Sequence, residues 1–247
     1  MSQIRVVFLG TGDAFAAGGR HQAACMIQTP EGSLLLDCGP TTLTSLKRHN
    51  LPIESIESIF LSHFHGDHFA GLPFLFLEYL YVIPRSKPLK IVGPPGVEKK
   101  VMLLYRTLYP DTAAEPLPYA LEFIEAQPER SFSVGGTGVC PFRAIHQEQP
   151  ISLGFEFLIS NRKIVYSGDT GWTEDLVTHS QKSDLLICEC SYFETRLATH
   201  LDYPRILENL PRLGSKRIVL THLGEEVLRR RQDIGLELAS DGLVVTL

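Results

Sequence analysis

Ser62-His63-Phe64-His65-Gly66-Asp67-His68-Phe69-Ala70-Gly71-Leu72-Pro73 holds three imidazoles and a carboxylate, directly after the apolar run Ser58-Ile59-Phe60-Leu61. Side chains alternate on an extended segment, which sends His63 and His65 to the same side. Gly66 lets the chain turn, and Asp67 and His68 then open a helix expected to run through 69–82. That arrangement suits two neighbouring cations, with His63 and His65 on one and Asp67 and His68 on the other. Neutral imidazole and carboxylate are the usual ligands of zinc, manganese and iron. The plain alternative is a histidine-rich surface turn, and a lone histidine here would be read that way. So dense a cluster, hard against an apolar strand, argues for a metal site.

The other polar residues such a site needs are sought at strand ends, where a rigid sheet can place them. Three stand out. His146 follows the apolar run 139–145, Asp169 follows Ile164-Val165-Tyr166 in a Ser-Gly-Asp-Thr turn, and His222 follows Ile218-Val219-Leu220. Taken singly, each has an ordinary explanation, since strand-end histidines face water and aspartate is common in turns. Their equivalent placement, in a chain that already carries the cluster, points to a shared role.

Around these residues the pattern alternates between strands and helices. Strands are expected over 4–9, 24–29, 33–37, 56–61, 89–92, 121–126, 131–134, 139–145, 153–160, 163–166, 185–189, 217–220 and 243–247. Helices are expected from about 41 to 49, then over 95–107, 172–179, 203–210 and 225–231, with a proline-rich loop at 109–118. Strands cluster antiparallel, helices separate the later ones, and the two halves share an order of elements. That fits two sheets packed together with helices outside. No repeat or linker interrupts the 247 residues, so one domain over 1–247 is expected.

Composition narrows the class further. Hydrophobic content of 44% and charged content of 21% are ordinary for a globular chain with a core. A net charge of -5 argues against a protein whose main task is binding nucleic-acid backbone. No secretory signal and no membrane span are expected. Cys25, Cys38, Cys140, Cys188 and Cys190 are scattered and sit mostly in apolar runs, which suggests buried reduced thiols and a cytoplasmic setting. The Cys188-Glu189-Cys190 pair is read as structural.

These residues, in this order, resemble the metallo-β-lactamase superfamily over nearly the whole chain, from Gly10-Thr11-Gly12 through Asp37-Cys38-Gly39 to His222. The resemblance implies an α/β (α+β) fold, a four-layer αββα sandwich with the metals at one edge of the two sheets. It implies two divalent ions, zinc first, with manganese or iron also compatible. His63, His65 and His146 would hold one, Asp67, His68 and His222 the other, and Asp169 would bridge them, with Asp37 supporting the loops. Within the superfamily, Gly10-Thr11-Gly12, the run from Gly66 to Pro73 and Gly93-Pro94-Pro95-Gly96 are similar to the ribonuclease Z-like branch. Beside Asp67, that branch implies catalytic roles for His200, in Thr199-His200-Leu201, and for Glu189, in Cys188-Glu189-Cys190-Ser191. For Glu189 a salt-bridged strand-end residue is the competing reading.

Ribonuclease Z enzymes that process transfer RNA carry a long Gly/Pro-rich arm between the third histidine and the bridging aspartate. Here one short hairpin fills the interval from His146 to Asp169, and the basic clusters at 85–90 and 229–231 are read as solvated. The expected activity is therefore metal-assisted hydrolysis of a small or cyclic phosphodiester by a water activated between the two ions. Nucleic acid is disfavoured as a partner, and a homodimer is implied by the family alone. The rivals are a transfer-RNA 3′ endonuclease lacking the arm and a non-hydrolytic metal protein, either an oxidoreductase or a partner in cofactor synthesis.

Overall fold

The computed structural model describes residues 3–247. The N-terminal apolar run forms β1 (Arg5–Gly10), which pairs antiparallel with β2 (Ala24–Thr29); β2 turns back as β3 (Gly32–Leu36). Helix α1 (Thr42–Arg48) then crosses to β4 (Ile56–Phe60), parallel to β3. Two short helices follow, α2 (Gly66–Phe69) and α3 (Leu72–Leu77), before β5 (Leu89–Gly93), α4 (Val97–Leu108) and β6 (Leu121–Glu125). The second half supplies β7 (Phe132–Val134), β8 (Thr137–Glu148), β9 (Ile151–Ile159) and β10 (Arg162–Tyr166). It continues with α5 (Glu174–Ser180), β11 (Leu185–Glu189), α6 (Tyr203–Asn209), β12 (Ile218–Thr221) and α7 (Glu225–Arg229). Two short strands, β13 (Glu237–Leu238) and β14 (Val244–Thr246), complete it.

The strand orders are β14-β1-β2-β3-β4-β5-β6 and β13-β12-β11-β10-β9-β8-β7, so the second half closes one edge of the first half's sheet through its last short strand, β14. Alternation explains the layering. Val6, Phe8 and Phe60 face Phe155, Phe157 and Ile187 in an apolar layer between the sheets. Their neighbours Val7, Leu9, Ile59 and Leu61 face outward under α1, α3 and α4. A third layer, with Val165, Leu186 and Leu220, lies under α5, α6 and α7. Both faces of the central strands are thus buried, which is why they read as continuous apolar runs. This is the αββα sandwich that the motif order implied, and the five cysteines are free thiols within it.

The stretch 69–82 is not one helix. It breaks after α2 at Ala70 and Gly71, resumes as α3, and ends in a π-helical turn at Glu78–Val82. The break follows from close packing: a Cβ on Gly71 would lie 2.1 Å from the Gly39 carbonyl oxygen, and the Gly71 N–H donates to Cys38 O at 2.8 Å. The run at 225–231 likewise ends its helix early, at Arg229. Strand β8 does not stop before His146 but continues to Glu148 through a register shift between Ala144 and Glu148. A bulge of this kind re-aims side chains near functional sites. The strand β13 has no expectation to match; two residues are too few to show a period.

Phe60 stacks edge-on against Phe155 and Phe157, with centroids 5.7 and 4.9 Å apart, and so joins the two sheets. Phe60→Ala is expected to lower unfolding free energy by about 3–5 kcal/mol, measured by urea denaturation.

Candidate metal centre

Strands β4, β8, β10, β11 and β12 all run the same way, and the residues beyond or at their C-terminal ends meet at one edge of the sandwich. The ligand atoms of His63, His65 and His146 form one group, and those of Asp67, His68, Asp169 and His222 a second, each group spanning no more than 4.8 Å. Asp169 stands between them. Its Oδ2 lies 3.3 Å from His68 Nε2, 3.4 Å from His222 Nε2, 3.8 Å from His63 Nε2 and 3.9 Å from His146 Nε2. Asp67 Oδ2 is 3.2 Å from His68 Nε2 and 3.3 Å from His222 Nε2.

Ring nitrogens here face one another. His68 Nε2 and His222 Nε2 are 3.4 Å apart, and His65 Nδ1 and His146 Nε2 are 3.0 Å apart. His63 Nε2 is buried with no hydrogen-bond partner at all. Such a set has more lone pairs than protons to share, and a buried polar atom without a partner is costly. Divalent cations fit this donor set, nitrogen and carboxylate oxygen together.

The opposite side of each ring shows why these nitrogens face inward. The Nδ1 of His68 is 2.7 Å from Asp37 Oδ2, that of His63 is 3.0 Å from Ser62 Oγ, that of His146 is 3.0 Å from Thr199 O, and that of His222 is 2.9 Å from Ser191 Oγ. With Nδ1–H donating in each case, Nε2 is the nitrogen left to face the centre, where a cation would displace any proton it carries. Asp37 fills the supporting role expected of it. It also accepts from Ser62 N at 2.7 Å, Ser62 Oγ at 2.8 Å and Tyr166 OH at 2.6 Å. Both Asp37 and His222 hold a left-handed backbone, at φ 55° and 54°, which costs a non-glycine residue and persists only where packing over-determines it.

The charges divide accordingly. Burial, reinforced by the neighbouring His68, holds the His63 imidazole neutral. For His68 burial also opposes the proton, but Asp169 and Asp37 outweigh it and raise its pKa well above the ordinary value. His222 behaves alike: burial pulls down, while Asp169 and a hydrogen bond to Asp67 push it up to about 9. Burial would raise the Asp169 carboxyl, yet His222 and His68 hold it well below the usual carboxylate range.

All the residues expected at the centre therefore come together, and His200 and Glu189 adjoin them. His200 Nδ1 is 3.1 Å from Glu189 Oε1, and its ring stands edge-on to His146 at 4.7 Å. Burial lowers the His200 pKa, but the hydrogen bond to Glu189 raises it on balance. Glu189 is itself buried, accepts from Thr170 N at 2.6 Å and Ser191 Oγ at 2.7 Å, and adjoins the centre beside His200 and His222. Ser62, Tyr166, Ser191 and the Thr199 carbonyl escape a reading by residue type; serines and backbone carbonyls carry no pattern, although Ser62 and Ser191 each adjoin a residue that does. The centre opens into a recess of about 70 Å³ lined by Asp67, Asp169, His200 and His222 with Phe15 and Tyr192. Between His146 and Asp169 the chain makes only the β9–β10 hairpin.

The comparisons with known proteins agree with this geometry. The family described as Anti-Pycsar protein Apyc1 matches residues 4–242. The chain belongs to that family. It is 28% identical to ribonuclease Z of Lachnoclostridium phytofermentans, over 91% of this chain and 88% of the relative. The crystal structure of human tRNase Z, short form, superposes with a TM-score of 0.79 at 28% identity and covers 98% of both chains. The metallo-β-lactamase fold protein YhfI from Bacillus subtilis gives a TM-score of 0.80 at 22% identity, over the full length of both chains. The chain is thus a ribonuclease Z-like hydrolase of the metallo-β-lactamase superfamily. No helix among the described residues is long and apolar enough to cross a membrane.

In the metal-free protein His68 and His222 hold protons at neutral pH, and cation uptake must displace them. Apparent zinc affinity is expected to rise as pH climbs from 6.5 towards 9, with proton release visible by calorimetry in buffers of different ionisation heat. The same raised pKa stabilises the metal-free fold fully below 6.5 and loses that contribution as pH passes about 9. Chelated protein should accordingly melt lower at the alkaline end.

Proposed function

We propose that this chain is a dinuclear metal-dependent phosphodiesterase acting on a small or cyclic phosphodiester, folded as a single unit over 1–247. The observation that carries the reading is Asp169 Oδ2, set within 3.9 Å of four imidazoles drawn from both ligand groups. His63, His65 and His146 would hold one ion and Asp67, His68 and His222 the other, with Asp169 shared; zinc suits the set best. Such a pair supplies Lewis acidity and an acidified water where the phosphorus is attacked.

The chain's own residues do the rest. The Nδ1 tethers fix the imidazoles, so the substrate phosphate meets a preformed array rather than one assembled on binding. His200, whose pKa the hydrogen bond to Glu189 raises, would donate from its other ring nitrogen to the leaving oxygen. The hairpin between His146 and Asp169 leaves the recess open to a small diester and offers no arm to grip a folded RNA. A net charge of -5 supplies no electrostatic excess for phosphate backbone either. A transfer-RNA 3′ endonuclease is the second reading, favoured by the 28% identity to a ribonuclease Z over most of the chain.

The test combines metal analysis with a substrate panel of bis(p-nitrophenyl) phosphate, cyclic nucleotides, a thioester, a β-lactam and precursor transfer RNA. Two equivalents of metal and turnover of the small diesters are expected. Asp67→Ala and His68→Ala should each lower that turnover by at least ~100-fold. Salt-sensitive cleavage of precursor transfer RNA at low enzyme concentration, without small-diester turnover, would favour the endonuclease instead.

A further inference from the structure

Residues 190–202 leave β11 beside Glu189, pass over the mouth of the centre and enter α6. This strap carries Thr199, whose carbonyl accepts from His146 Nδ1 at 3.0 Å, and His200, bound to Glu189. Its ends are tied to each other: Ser191 and Tyr192 N–H both donate to Leu201 O, and Tyr203 N–H donates to Tyr192 O. Its middle is tied elsewhere. The Oε2 of Glu226 accepts three consecutive backbone N–H groups, from Phe193 at 3.1 Å, Glu194 at 2.8 Å and Thr195 at 2.9 Å, while the Thr195 hydroxyl donates to Oε1. Arg230, on the following turn, lies 4.6 Å over the Phe193 ring and donates to Glu194.

Glu226 sits in the first turn of α7, on the same short stretch of chain as His222. One carboxylate thereby connects the segment that delivers His222 to the strap that aims His146 and presents His200. We propose that Glu226 is a positioning residue of the metal centre: by clamping the turn at 193–195, it holds Thr199 against His146 and His200 over the recess. Resting on the assignment of His146 as a ligand, it adds to that reading a residue that touches neither the candidate ligands nor the substrate. Four donors on one carboxyl group keep it ionised, against the effect of burial, with a pKa drawn down to about 2. The accepting carboxylate is therefore ionised at neutral pH.

The test compares Glu226→Ala and Glu226→Gln with wild type in the metal-loaded, full-length protein. Arg196, half-exposed in the middle of the strap, offers a tryptic site that reports on the clamp without reference to catalysis. Glu226→Ala is expected to be cut there about tenfold faster, because the strap opens locally. It should surrender its metal at a chelator concentration about 10–100-fold lower, the usual effect of removing an outer support of a ligand. Turnover number on bis(p-nitrophenyl) phosphate should fall by a similar factor, with KM within about twofold. The melting temperature should barely move, since water replaces the acceptor for these largely exposed N–H groups. Glu226→Gln keeps a carbonyl for the same three donors and should return every readout to within about threefold of wild type.

Cleavage and metal retention equal to wild type in Glu226→Ala overturn the proposal. So does faster cleavage with unchanged metal retention and turnover, for the clamp would then hold only the loop. A wild-type protein inert towards every diester defeats the phosphodiesterase reading alone; tryptic cutting and chelator competition still judge Glu226.

Discussion

A buried carboxylate with four donors on it joins the two halves of this molecule. Asp37 follows β3 of one sheet, receives Ser62 from the end of β4 and His68 from α2, and takes the Tyr166 hydroxyl from β10 of the other sheet. A charge with no exposure to water is tolerable only when fully paired, and breaking any of these bonds would leave it uncompensated. Its position therefore fixes three others at once. Ser62 sets His63, the turn after it sets His68, and Tyr166 anchors the strand end from which Asp169 follows. A second bond, from Leu153 N–H to Ser62 O at 2.9 Å, ties β9 to the same point. The two sheets meet here through polar bonds and elsewhere through apolar packing.

The same logic governs the histidines. An imidazole has two nitrogens, and whichever is given a partner decides what the other can do. At four positions the partner is a support on the outer side, supplied by a serine twice, a carboxylate once and a backbone carbonyl once. His65 differs, presenting Nδ1 to His146 and carrying the most exposed ring of the group. The supports come from separate loops, so the centre is assembled by tertiary structure and not by the local run in which three of its histidines lie.

That distinction explains what could be read from the chain. The cluster at 63–68 and the strand-end residues 146, 169 and 222 were legible because type and placement coincide: one titratable side chain after an apolar run is ordinary, but the same placement three times over beside such a cluster is not. The layered fold followed from the order of apolar strand runs and helices, and its four-layer form from the family resemblance. The supports were not legible. Ser191 and Tyr166 have no spacing that marks them, and the Thr199 carbonyl has no residue type at all. Nor did apolarity alone reveal that the helix after His68 breaks, since Phe69, Leu72, Leu75 and Phe76 satisfy a helical period across the gap. The close approach of Gly71 to Gly39, a contact between distant residues, ends it.

The strained backbone at Asp37 and His222 belongs to the same account. Each residue lies in the left-handed region without being glycine or asparagine, at a cost on the order of 1–3 kcal/mol. Each also ends a strand with a group that must turn inward at once: Asp37 follows β3 by one residue, and His222 follows β12 likewise. A residue continuing the extended path would carry its side chain to the helix layer or to the intersheet layer, both apolar. The left-handed turn breaks that alternation and aims the side chain along the sheet edge, where the other strand ends point. Other non-glycine residues with a left-handed backbone, such as Asn50, Ser160 and Lys182, sit in connecting turns, whereas these two sit in the polar edge beside the centre. At Asp37 and His222 the departure from backbone rule falls where candidate ligands, supports and recess coincide, which is where a reaction would draw on it.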